Sequence, residues 1–207
     1  MVRPGRPSDA EVIASSIEDP ERFGLIVDAY ASPIARYLTK RVGPTLAQDL
    51  TSETFLQSFR GRGTFRAEQA SALPWLYGIA TNQVRGHLRS EQHRIKALGQ
   101  VAGQKVLAQG ADEHTDDALA AAATLQCLGR ALAGVTQEAR DVLALVAVEG
   151  LSYEEVAAAL DIPVGTVRSR LSRVRRDLRR AVAGSASPSS SHRPLSHSNA
   201  EGACHGR

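Results

Sequence analysis

The chain has 207 residues, 43% of them hydrophobic and only 4% aromatic, with a formal net charge of +3. That length suits one large domain or two small ones, and the shortage of β-branched and aromatic runs predicts an all-α fold. No apolar run nears the roughly 20 residues of a membrane span and no leader pattern opens the chain. Two cysteines, Cys127 and Cys204, are too few for a disulfide framework, so a cytoplasmic location is expected.

Charge is unevenly placed. Residues 97–120 carry one Lys against four acids, and Thr136–Asp161 one Arg against six. The next stretch, DIPVGTVRSRLSRVRRDLRR, holds seven arginines in twenty residues. Such asymmetry points to a localised anionic partner.

In chain order, residues 1–18 read as a polar tail. Phe23, Ile26, Val27 and Tyr30 follow helical spacing, and Ser32-Pro33 predicts a restart or kink before Ile34, Tyr37 and Leu38. Gly43-Pro44 breaks that helix, and a second is expected from about Thr45 to Phe59. Leu46 and Leu50 fall on one side of it and Phe55 and Phe59 on the other. One side can pack inward while the other docks a protein, or the bundle can bury both.

A basic loop, RGRGTFRAEQASA, follows, and Pro74 restarts a long helix to about Arg94. Leu76, Ile79, Ala80, Val84 and Leu88 form its apolar face, and Trp75, Asn82, Arg85 and Arg89 cluster on the far side. A tryptophan in line with Asn and two Arg suits a platform for bases and phosphates; a Trp capping the edge of the block is the plainer reading. Residues 97–124 read as linker. Helices are expected over about 118–132, 136–148 and 152–160, and the Ser/Pro/His-rich residues 184–207 as a tail too polar to fold.

Leu151-Ser152-Tyr153-Glu154-Glu155-Val156 has the form of a capping box with a hydrophobic staple. Asp161-Ile162 makes a turn, and Pro163 suits the first position of the next helix. Two short helices, a turn and a basic second helix describe a helix-turn-helix. On a helical wheel Val167, Leu171, Val174 and Leu178 form a narrow seam, which turns Ser169, Ser172, Arg173, Arg176 and Arg180 outward. Gly165-Thr166 would let the helix N-terminus approach a phosphate. A solvated coiled-coil helix is the alternative, but this seam is shorter than three to four heptads.

At these residues the chain resembles the extracytoplasmic-function (ECF) sigma factors of the sigma-70 family. DLTSETFLQSF with PWLYGIATNQVRGHLR is similar to their region 2, and LSYEEVAAALDIPVGTVRSRLSRVRRDLR to their region 4. The resemblance implies a region 2 bundle over 19–96, the linker, and a region 4 helix-turn-helix over 125–183. It implies RNA polymerase core (β and β′ subunits) and promoter DNA as partners, with promoter recognition and opening as the activity. A free monomer is expected, with no membrane, metal or cofactor. An anti-sigma factor is common in the family, though no residue here identifies one.

By motif match, Asp49, Leu50, Glu53, Phe55 and Leu56 would dock the polymerase. Arg62, Arg66, Trp75, Tyr77, Asn82, Arg85 and Arg89 would meet the −10 element, with loop 61–72 reading a flipped base. Arg168, Ser169, Ser172 and Arg173 would read the −35 element in the major groove, with Gly165, Thr166 and Arg176 near the backbone. Ser52 stands where many members carry Gln.

Other classes fit less well. No Gly-rich phosphate loop, His-Glu-x-x-His or recognisable nucleophile argues for an enzyme. A regulator of the LuxR type shares a Glu-Glu-Val-Ala-like first helix, but the N-terminal block lacks βα alternation. His192, His197, Cys204 and His205 match no standard metal spacing, and Cys127 reads as packing.

Overall fold

The computed structural model describes residues 7–66, 70–97, 126 and 129–185, and among these every regular element is helical. The elements are α1 (Asp9–Ser15), a 3-10 turn (Pro20–Phe23), α2 (Gly24–Val42), α3 (Pro44–Arg60), a second 3-10 turn (Arg62–Thr64) and α4 (Leu73–Ala97). After a helical stretch over 129–133 come α5 (Gln137–Leu143), a π-helical turn (Ala144–Val148), α6 (Tyr153–Leu160) and α7 (Val164–Ser185). The expected linker, most of the 118–132 helix, the tail beyond 185, Cys127 and the tail histidines lie outside the described residues.

Helices α2, α3 and α4 form the N-terminal bundle. Ile26, Ile34, Tyr37 and Leu38 of α2 meet Leu76, Tyr77, Ala80 and Val84 of α4 in one core. Each such fully buried aliphatic or aromatic side chain contributes about 1.5–3 kcal/mol. The polar atoms inside are paired: the Tyr37 hydroxyl meets Thr81 Oγ1 at 2.7 Å, and the Tyr37 and Tyr77 rings stack edge to face.

Pro33 does not restart the helix as expected; it lies inside an unbroken α2. It forfeits one i to i−4 bond, a loss of about 3 kcal/mol in an isolated helix. Ile26 on one side of it and Ile34, Tyr37 and Leu38 on the other are all buried, and that packing outweighs the loss. Gly43 does end the helix, at φ 82°, a conformation that costs glycine little.

Residues 1–18 are not wholly a tail. Ser8 caps α1 through a complete capping box with Glu11, and Val12 and Ile13 are buried in the bundle core. The signal was present as Ser-x-x-Glu before two apolar residues, but α1 is too short to show periodicity.

The two helical units expected from the sequence are both present, and they pack on each other. The C-terminal helices pack on α4, and Val142, Leu145, Leu151, Val156, Ala157, Val167 and Leu171 share one core with the N-terminal bundle. A smaller cluster of Val135, Ala139 and Val174 sits apart. The crossing of α4 with α6 is so close that a Cβ on Gly78 would overlap the Ala159 carbonyl.

Candidate nucleic-acid interface

The C-terminal site is assembled almost entirely by local rules. Ser152 accepts from the Glu155 amide at 3.2 Å and Glu155 Oε2 accepts from the Ser152 amide at 2.8 Å, so the expected capping box is complete. Asp161 ends α6 in the left-handed conformation at φ 53°. Asp tolerates this region better than bulky residues do. The Pro163 carbonyl then accepts from Thr166 and Val167, which makes Pro163 the cap and Val164 the first helical residue.

In α7 Val167, Leu171 and Val174 are buried and Leu178 half-buried, as the seam requires. Gly165, Arg168, Ser169, Ser172, Arg173 and Arg176 are exposed and Thr166 is half-buried. Arg168 has only a loose neighbour in Glu154 at 4.0 Å, and Arg176 leans on Asp177 at 3.6 Å. Exposed pairs of this kind hold their charges weakly, leaving the arginines available to phosphates. Tyr153, Arg168, Ser172, Arg175, Arg176 and Arg179 line a shallow groove of about 350 Å³. Tyr153, Arg175 and Arg179 are additions to the expected set. The arginines flank the same basic face, whereas Tyr153 enters only because α6 crosses α7.

The N-terminal site is more scattered. Asn82 and Arg89 are exposed on α4. Trp75 is half-buried, stacked edge to face on Phe65 with centroids 5.3 Å apart, and with Thr64 and exposed Arg66 it forms one wall of a groove. Ala157, Ala158 and Asp161–Val164 form the opposite wall, enclosing about 760 Å³.

Three of the expected residues are committed elsewhere. Tyr77 is 2% exposed, on the core side of α4, and donates to Glu149 Oε2 at 2.8 Å; burial first, then that carboxylate, raises its pKa. Arg62 donates to the Ser16 and Phe59 carbonyls at 3.2 and 2.6 Å and stacks on the Phe59 ring. Arg85 donates through Nε to Asp141 Oδ2 at 2.6 Å.

Asp141 is the hub of the contact between the two units. It is fully buried and also accepts from Arg41 Nη2 and, at 2.9 Å, from Gln137. Lys40 reaches Glu149 at 3.4 Å beside it. The six acids noted in Thr136–Asp161 therefore include the two that meet α2 and α4. No local pattern marks them, because their partners lie about 50 to 110 residues away in sequence.

On α3 both sides are largely packed. Phe55 is 8% exposed and Phe59 stacks on Phe23, so Phe55 faces the core. Thr54 and Ser58 are buried beside it, their hydroxyls satisfied by the Leu50 and Phe55 carbonyls. The outward stripe is Asp49, Ser52, Glu53, Leu56 and Arg60, with Leu56 42% exposed and Leu50 and Glu53 half-buried.

Among the described residues no group of three or more His, Cys, Asp or Glu could hold a metal, and no helix is long and apolar enough to cross a membrane. Residues 26–94 match the model for sigma-70 region 2, and residues 125–178 that for sigma-70 region 4. The chain belongs to the sigma-70 family, in its ECF group.

Among curated relatives, the ECF RNA polymerase sigma-E factor of Haemophilus influenzae is 28% identical over 168 residues, covering 76% of this chain and 85% of the relative. That of Escherichia coli K12 is 29% identical over 162 residues, covering 76% and 84%. The fold is similar to that of the sigma factor RpoE of Bartonella quintana, solved with the anti-sigma factor NepR. That match has a TM-score of 0.58 and 22% identity over 78% of this chain and 96% of that one. It is also similar to CnrH, solved with the cytosolic domain of CnrY, with a TM-score of 0.55 and 20% identity over 86% and 99%. Regions 2 and 4 are therefore the N-terminal bundle and the C-terminal helices.

Proposed function

We propose that this sigma factor binds core RNA polymerase, directs it to promoters by reading a −35 and a −10 element, and promotes strand opening. The polymerase does the chemistry. The observation that carries the reading is the face of α7: an exposed row of Arg168, Ser169, Ser172, Arg173 and Arg176 over a buried Val/Leu seam. Arg173 and its neighbours would read base edges in the major groove, and the remaining arginines would supply the salt-sensitive phosphate grip.

In region 2 the exposed stripe of α3, Asp49, Glu53 and Leu56 above all, would dock the polymerase. Asn82 and Arg89 on α4, with Arg66 and Trp75, would meet the −10 strand. Region 4 covers α4 at Tyr77, Gly78 and Arg85. Binding of a DNA strand there would require the two regions to part. A connection of 28 residues over 97–124 extends to about 90–100 Å, enough for elements two DNA turns apart, about 70 Å. An anti-sigma factor is a further partner; the similar structure of the sigma factor RpoE, solved with the anti-sigma factor NepR, supports it.

Run-off transcription with core polymerase and a randomised promoter pool tests the reading. Two conserved elements at fixed spacing should emerge from the transcribed molecules. Tight duplex binding without polymerase, and no transcription with it, would instead indicate a LuxR-type regulator. Asn82→Ala should leave closed-complex binding intact and reduce permanganate reactivity of the melted strand; normal reactivity would remove Asn82 from the opening step.

A further inference from the structure

The segment joining α3 to α4 is fastened at both ends to the same short helix, α1. At its start, Arg62 Nε donates to the carbonyl of Ser16, the C-cap of α1, at 3.2 Å. The same guanidinium lies 4.1 Å over the Phe59 ring, which is itself stacked on Phe23. At its end, the Asp9 carboxylate accepts from the Ala72 amide at 2.7 Å and from the Tyr30 hydroxyl. Tyr30 also meets Ser71 Oγ at 3.1 Å, and Ser71 in turn accepts from the Leu73 amide as α4 begins.

Asp9 and Ser16 are seven residues apart, or two helical turns of about 5.4 Å each. Helix α1 thus acts as a rigid spacer between the two attachment points. It cannot slide, because Val12 and Ile13 are buried and the Ser8–Glu11 box closes its N-terminus. Between the attachments, the described residues that face the groove are Thr64 and Arg66, with Trp75 just beyond on α4. The region 2 match begins only at residue 26, so α1 and both its attachment residues precede it.

We propose that α1 is a positioning element for −10 recognition: Asp9 and Ser16 hold the ends of the α3–α4 connection so that Arg66 and Trp75 present one fixed surface to a DNA base. This rests on the −10 reading above. Asp9 touches no DNA in this scheme; it acts through Ala72, Tyr30 and Ser71. An exposed ion pair would be worth little here, but a carboxylate accepting an amide and a hydroxyl in a half-buried site is held by charge-assisted bonds. A good base contact is worth roughly 5- to 150-fold in discrimination, and displacing the reading group forfeits part of it.

The test uses the full chain with core polymerase and a promoter pool with −10 positions randomised on a constant −35 element. A second pool randomises −35 on a constant −10. Asp9→Ala should flatten the −10 preference by about tenfold while leaving the −35 preference and core affinity within about twofold. Asp9→Asn keeps an acceptor and should fall between it and the parent. If Asp9→Ala lowers helix content or thermal stability, Tyr30→Phe decides, since it removes one hydroxyl and keeps the ring. It should blunt the −10 profile less, but in the same positions.

Equal loss on both pools, or an unchanged −10 profile in both Asp9→Ala and Tyr30→Phe, would overturn the proposal. Arg66→Ala and Trp75→Ala in the parent chain separate the two levels. If neither alters the −10 profile, the reading surface itself is misassigned. If they do and the α1 variants do not, only the positioning role fails.

Discussion

Regions 2 and 4 both turn basic groups outward, yet they are built in opposite ways. The proposed region 4 surface is one helix: a four-residue apolar seam sets its rotation, and the exposure of every side chain on its basic face follows from that rotation. Region 2 has no such unit. Arg66 and Trp75 sit on one wall of a groove, Asn82 and Arg89 stand further along α4, and Arg62 and Tyr77 are held inside. The first site should tolerate loss of any one side chain with its geometry intact. The second depends on loop ends, a remote helix and the partner region.

The contact between the regions offers the largest expected effect. Asp141→Ala would leave Arg41 and Arg85, both largely buried, facing each other without their shared carboxylate. Removing one member of such a cluster costs about 3 kcal/mol, which should fall on region–region packing. Solution scattering should then show a larger radius, and proteolysis faster cleavage between the regions. An unchanged radius would mean that the apolar contact around Gly78 and Ala159 suffices alone.

Arg173→Ala comes next and probes the single-helix site. Discrimination at one −35 position should fall by about 1–3 kcal/mol with core binding intact. If affinity for every promoter drops equally, Arg173 touches phosphate only.

Ser152→Ala removes the cap of α6 and should cost about 1 kcal/mol in thermal unfolding. The loss should appear in region 4 first; a uniform loss in both regions would show that the shared core unfolds as one unit.

The smallest effect concerns α1. The Ser8 amide, and then its hydroxyl, hold the Glu11 pKa below the ordinary 4.5. A lowered carboxylate pKa stabilises the folded form above the ordinary value, and that contribution is lost as pH falls through the lowered one. Protection of the Ser8 amide, once exchange is corrected for its intrinsic pH dependence, should therefore fall as the solution is taken below pH 4.5 and stay flat between neutrality and that value. Exchange independent of pH, after correction for its intrinsic rate, would show that the box adds nothing to α1.

Much of region 4 was legible in advance. The capping box at Ser152 and Glu155, the turn at Asp161 and the seam from Val167 to Leu178 all involve residues within a few positions of one another. Such short-range geometry is encoded in spacing. Along α4 the same logic places Leu76, Ala80 and Val84 inward and Asn82 and Arg89 outward, whereas motif similarity alone puts Tyr77 at the DNA and the bundle buries it. Pro33 starts no new helix because the buried residues on either side of it outweigh its propensity. For Phe55 the wheel leaves docking and burial both open, and only the packing of the bundle turns its ring inward. Helix α1 was passed over because seven residues are too few for a periodic signal.

The sequence by itself determined the helices, most of their caps, the apolar faces and the rotation of the basic helix, since each depends on neighbours within one or two turns. Only the tertiary structure decided that Asp141 lies buried between Arg41 and Arg85, that Gly78 admits the Ala159 backbone, and that Asp9 and Ser16 hold the two ends of one loop. Those contacts join residues from about 45 to 100 positions apart. Neither helical spacing nor composition carries information over that range; it comes from shape and from the need of every buried charge for a partner.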